Sequence, residues 1–293
     1  MQAVTPRPRD VQHLIICGAE KAGTTSLFGY LAAHPGVVAS SKKETDHFRR
    51  EGADLAGYAA FFDCSPDDKR VRLESSPGYL AEADTVAPRM AALLPHAKLV
   101  FVLRDPIERL RSSFRFYKSR LHVPQDMSFE RFVTVCLGVE EGTLAAADTG
   151  LAAWHLGAIA RGRYERLLPP FERHFAPQQM LVLAHAALQR DARAAVQRIA
   201  EHAGLDPTPY RDHVFARENV SFMARHAGMQ RVAVAVNDSL EGLWRRHPGL
   251  KRQLLAAYKR FNERPMDADE LDPATAVRLR AHYADTYAWL AAR

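Results

Sequence analysis

Only three of the 293 residues are cysteine: Cys17, Cys64 and Cys136. Widely separated and odd in number, they exclude a disulfide framework and leave too few thiolates for a cysteine-rich metal cluster. Thirteen histidines are present, but none stands in an H-E-x-x-H pattern, and no metal is expected. No apolar run approaches the length needed to cross a bilayer. The amino-terminal MQAVTPRPRD is polar and proline-bearing, unlike an apolar export signal, so a cytoplasmic location is expected. Repeats and long low-complexity linkers are lacking too, which favours one domain over residues 1–293.

Against those absences stand an ample hydrophobic content of 47% and a formal net charge of +6, with a pI near 9.3. The first supports a sizeable core, and the second suits an anionic cofactor. Basic residues are spread along the chain, with one local concentration at Arg109, Arg111, Arg115, Lys118 and Arg120. That helix face is expected either to line a ligand entrance or to remain solvated. No nucleic-acid or membrane partner is expected, and nothing in the sequence specifies an oligomeric state.

The most informative stretch is HLIICGAEKAGTTSLF, His13 to Phe28. Leu14 to Cys17 form an apolar run suited to a buried strand. Gly18 and Gly23 then bracket a turn containing Lys21 and Ala22, and Thr24, Thr25 and Ser26 open a helix. First-turn amides lack intrahelical acceptors, so this arrangement suits a phosphate, with Lys21 adding positive charge. The nucleoside-triphosphate loop G-x-x-x-x-G-K-[ST] shares both glycines, but Thr24 stands where its lysine belongs. Instead, G-x-x-K-x-G-T-T resembles the 5′-phosphosulfate loop of sulfotransferases that use 3′-phosphoadenosine-5′-phosphosulfate.

A second segment, KLVFVLRDPIERLRSSF from Lys98 to Phe114, reads as a buried strand ended by Arg104, with Asp105 and Pro106 starting a helix. Ser112 lies about two turns along it. In that family an arginine and a serine at this spacing hold the nucleotide's 3′-phosphate, a role the resemblance gives to Arg104 and Ser112. The segment SSKKETDHF, Ser40 to Phe48, resembles the K-E-x-x-F-F motif of heparan-sulfate-type and bacterial natural-product members. There the glutamate is the proposed base, implying that role for Glu44. Asp46 and His47 stand where the family often has histidine then phenylalanine, so the resemblance leaves either of them as a further site residue. RLESSPGYL, Arg72 to Leu80, is similar to the family's E-x-[ST]-P-x-Y segment, but Ser75 replaces a lysine of heparan sulfate members, which argues against a glycosaminoglycan acceptor. Residues 161–175, 216–222 and 283–290 also resemble bacterial members.

The periodicity predicts strands at 13–17, 71–74, 98–103 and 180–184. Helices are expected at 24–33, near 55–62, at 84–93 and at 106–120, with a motif loop at 40–48. Such alternation implies an α/β fold, a P-loop-like parallel sheet with helices on both faces. Residues 12–120 are expected to form the cofactor core, 121–175 a largely helical acceptor-side excursion, and 176–293 the sheet completion and terminal helices. Trp154, His155 and Tyr164 are candidate acceptor contacts or core residues. The resulting expectation is sulfuryl transfer to a hydroxyl, or alternatively an amine, of a small molecule or natural product, yielding 3′-phosphoadenosine-5′-phosphate. Lys21 would neutralise the leaving phosphate. The rivals are a P-loop kinase, disfavoured by Thr24, and a non-catalytic nucleotide-binding protein, which would need no Glu44.

Overall fold

The computed structural model describes residues 12–215, 223–224, 226–240, 248–264 and 271–293. The expected 216–222 similarity lies outside them. The described chain divides into two compact units, one of residues 1–109, 163–219 and 285–293, the other of 110–162 and 220–284.

The first unit is built on five parallel strands: β1 (His13–Gly18), β2 (Val37–Ala39), β3 (Val71–Ser75), β4 (Lys98–Leu103) and β5 (Met180–Ala184). They lie side by side in the order β2-β3-β1-β4-β5. The runs LIIC and LVFVL are continuous because β1 and β4 are inner strands covered on both faces, and Leu14 to Cys17 and Leu99 to Val102 are fully buried. After β1 the chain crosses to β2 and β3 on one side, then to β4 on the other. The reversal of direction beside β1 makes it a topological switch point, the place on the carboxyl edge where ligands of open α/β sheets bind.

The helices are α1 (Thr24–Ala32), α2 (Leu55–Ala59), α3 (Gly78–Ala81), α4 (Ala83–Leu93) and α5 (Pro106–Ser119). Asp54 caps α2 by accepting from Gly57 N at 2.6 Å. Phe171, in a helix over Pro169–His174, packs edge-on to Phe101 with ring centres 5.1 Å apart. The fold class is the expected one. Strand β2 was not anticipated: three residues are too few to show periodicity, and pairing of Val37 to Ala39 with Val71 to Leu73 makes the strand.

In the second unit a helix over Phe129–Glu140, capped by Ser128, buries Phe132, Val133, Cys136 and Leu137. The α5 residue Phe114 meets Phe132 with centroids 5.1 Å apart. Tyr283 donates to Ile159 O at 2.8 Å.

Candidate active site

Four strand ends supply the site. At the end of β1 the backbone turns through left-handed conformations at Lys21 (φ 65°) and Gly23 (φ 82°). A Cβ on Gly23 would meet nothing nearer than 3.4 Å, so backbone conformation rather than space calls for glycine there. Gly18 is different: its Cβ would lie 2.7 Å from Leu80 Cβ, and the missing side chain permits the close approach. Ala19 N donates to Val102 O at 2.8 Å, tying the loop to β4. Gly23 brings no side-chain cap to α1, so Thr24, Thr25 and Ser26 form a first turn whose amino end no cap side chain occupies. Ala22 is fully buried, Thr24 nearly so, and Thr25 and Ser26 are half-buried.

Lys21 is held below the usual lysine pKa, chiefly by burial. Glu20 and Glu44 pull it back up, while Arg104 and Lys43 add to the depression. The ammonium therefore feels both the Glu44 carboxylate and the strand-end arginine.

Arg104, just past β4, donates from Nη1 to Lys21 O at 3.1 Å, and its Nη2 lies 3.6 Å from Glu108. Its own carbonyl accepts the Tyr164 hydroxyl at 2.8 Å. Burial raises that phenol to about 12, so it stays a donor. Asp105 caps α5 through Glu108 N at 2.9 Å and accepts the Tyr287 hydroxyl at 2.9 Å. Tyr164 thus supports Arg104 from the core. Ser112 is half-buried on α5, within the second unit.

The 40–48 loop leaves β2 and crosses the end of β3. Glu44 is about half exposed and pairs with Lys43 at 2.7 Å. On either side of Glu44 the chain is bound to the 74–79 segment: Ser75 N donates to Lys43 O at 3.2 Å, and Thr45 Oγ1 donates to Glu74 Oε1 at 2.5 Å. Asp46 takes a left-handed φ of 51°, and its carboxylate accepts from Arg49 at 3.3 Å, which also pairs with Glu82 at 2.5 Å. His47 turns the other way. Its ring is buried against Phe48, Tyr58 and Phe61, and Nε2 donates to Asp54 O at 2.8 Å. The structure thus couples Lys21, Glu44 and Arg104, sets Asp46 in an ion pair, and packs His47 in the core.

Glu74 is the residue whose weight sequence reasoning missed, although the spacing E-x-S-x-x-Y carried the signal. It is fully buried, and its Oε1 also accepts from Ser76 at 2.6 Å and Tyr79 at 2.7 Å. Burial pushes its carboxyl up, an effect the hydroxyl donors partly offset. Of the expected basic cluster, Arg109 is fully buried and so lines no open face. Lys118 donates to Met127 O at 3.0 Å. In the second unit Trp154 stacks under Arg161 at 4.0 Å, and His155 lies 4.6 Å from the Tyr117 ring. Among the described residues no group of three or more His, Cys, Asp or Glu is placed to hold a metal ion. None of their helices is long and apolar enough to cross a membrane.

Five parallel strands flanked by helices, with a glycine-bracketed loop between β1 and α1, define an α/β protein with a P-loop-like strand–loop–helix unit. A family model described as a sulfotransferase domain matches residues 11–233, and the chain belongs to the sulfotransferase family. It is 35% identical over 128 residues to the membrane-associated sulfotransferase kil1 of Dictyostelium discoideum, covering 41% of this chain and 27% of that protein. With human heparan sulfate glucosamine 3-O-sulfotransferase 3B1 it shares 30% identity over 199 residues, 67% of this chain and 47% of the relative. The chain thus spans between about a quarter and a half of the length of these curated relatives. The fold is similar to that of a sulfotransferase structure from Alicyclobacillus acidocaldarius, with a TM-score of 0.57 and 24% identity over 74% of this chain and 87% of that one.

Proposed function

We propose that this protein transfers a sulfuryl group from 3′-phosphoadenosine-5′-phosphosulfate to a hydroxyl of a small-molecule or natural-product acceptor. The observation that carries the reading is the loop from Gly18 to Gly23, with Lys21 inside it and electrostatically coupled to Glu44. The residues fit a phosphosulfate: an amino-terminal helix turn without a side-chain cap offers amides, and the part-buried Lys21 ammonium offers positive charge to an anion. The donor supplies an activated sulfuryl group and a phosphate leaving group. Glu44 takes the acceptor proton as the acceptor oxygen bonds to sulfur, the bond from sulfur to the bridging oxygen breaks, and that oxygen keeps the electron pair. Lys21 neutralises the charge growing there, while Thr24, Thr25 and Ser26 hold the 5′-phosphate. Arg104 and Ser112 select the 3′-phosphate, as the family resemblance implies.

The test is to identify the nucleotide that co-purifies and to follow labelled sulfate from donor to a panel of hydroxyl and amine acceptors. A 3′,5′-bisphosphate nucleotide and label in a sulfate ester are expected. Phosphate transfer from ATP in place of sulfate transfer overturns the proposal.

A further inference from the structure

We propose that Glu74 is a positioning residue, which fixes the 43–48 loop and thereby aims Glu44; the inference rests on the reading of Glu44 as base. The carboxylate of Glu44 is paired with Lys43, its neighbour in sequence on a flexible side chain. Such a partner does not aim it, so its direction is set by the backbone on either side.

That backbone is held by the 74–79 segment at Lys43, Asp46 and Phe48, and at His47 through Thr45, which is itself bound to Glu74. Ser75 N donates to Lys43 O at 3.2 Å. Asp46 N donates to Ser76 Oγ at 3.1 Å, His47 N to Thr45 Oγ1 at 3.2 Å, and Phe48 N to Tyr79 Oη at 3.4 Å. The three accepting hydroxyls are the same three that donate to Glu74 Oε1, at 2.5, 2.6 and 2.7 Å. Each hydroxyl has a single proton. By taking all three protons on one oxygen, Glu74 turns the lone pairs of Thr45, Ser76 and Tyr79 toward the loop amides.

A fully buried carboxyl is a costly way to fill space, and an apolar side chain of similar volume would avoid the desolvation. Its second oxygen, Oε2, is buried with no hydrogen-bond partner. The three hydroxyls that hold the loop all donate to Oε1, and a glutamine retains that oxygen. Glu74 itself sits on an inner part of the sheet, in register with Ile15 of β1, so it does not move with the loop.

The test uses the full chain carrying E74A, E74Q or, as a milder second variant, T45V. Turnover, affinity for 3′-phosphoadenosine-5′-phosphate and amide hydrogen exchange are measured on each. For E74A, kcat is expected to fall about 10²-fold, the cost of a misplaced reacting group. Nucleotide affinity should hold, and the amides of Asp46, His47 and Phe48 should exchange faster. E74Q should restore most of the turnover and the protection, and T45V should fall between. Wild-type kcat in E74A, equal damage in E74A and E74Q, or loss of nucleotide affinity in step with kcat overturns the proposal. Failure of the Glu44 reading is distinguishable: E44Q would then turn over normally while loop protection still depended on Glu74.

Discussion

The guanidinium of Arg104 donates across 3.1 Å to the main-chain oxygen of Lys21, so the end of β4 is tied to the Gly18–Gly23 loop at its lysine. The arginine is itself held from behind by Tyr164, through its carbonyl. Two segments 83 residues apart in sequence are therefore joined directly.

Arg104→Ala should cost about 2–5 kcal/mol of binding to 3′,5′-bisphosphate nucleotides, the range for removing one side of a charge-assisted pair. Titration calorimetry checks it. Wild-type protein should bind the 3′-phosphorylated donor far more tightly than adenosine 5′-phosphosulfate, and equal affinities would contradict the role given to Arg104 and Ser112.

Glu44→Gln keeps shape and removes basicity, so turnover should slow roughly 10²–10⁴-fold with nucleotide affinity unchanged. Its neighbours should behave differently. His47→Ala empties a buried aromatic site and strips a hydrogen bond from Asp54 O, which should lower stability by about 1–3 kcal/mol and leave turnover per folded molecule near normal. Asp46→Asn weakens the pair with Arg49, and a small effect on turnover is expected. Chemical denaturation and single-turnover rates separate the three.

Metal chelation should leave sulfate transfer largely intact, because Lys21 and the first-turn amides of α1 supply the positive field that a kinase draws from Mg²⁺. Turnover measured with and without chelator decides this. A chelator-sensitive activity restored by Mg²⁺ would point back to the kinase alternative.

Stability should depend on pH through Glu74. Burial raises its folded pKa above the ordinary value of 4.5. The folded state therefore holds this proton more tightly than the unfolded chain, and the associated stabilisation is full below the unfolded pKa and lost as pH climbs through the raised one. Cys17, Tyr58 and Tyr79 face the same carboxyl and are all pushed upward, so they stay neutral across that window. E74Q lacks the titration. Melting curves at about pH 5 and about pH 8 should show wild type losing more stability than E74Q on the alkaline side.

The parallel sheet and the strand–loop–helix turn after β1 were legible because their signals are local. LIIC and LVFVL are continuous since both faces of an inner strand are covered, and Gly18, Gly23 and Thr24 mark a strand-to-helix turn within a few residues. Motif spacing marked Glu44 and Arg104 as candidates, and their roles belong to the proposal. Only the tertiary structure decided what depends on partners distant in sequence. His47 and Asp46 have interchangeable positions in a charged string until Asp54 O takes one ring and Arg49 takes the other's carboxylate. Arg109 reads as a surface cation, yet it is fully buried. Glu74 reads as the last residue of a predicted strand and the first of the E-x-[ST]-P-x-Y similarity, with no role of its own. Its part appears when β3 brings Thr45, Ser76 and Tyr79 to one oxygen, because a buried hydrogen bond requires both partners in place and a residue-by-residue pattern carries only one of them.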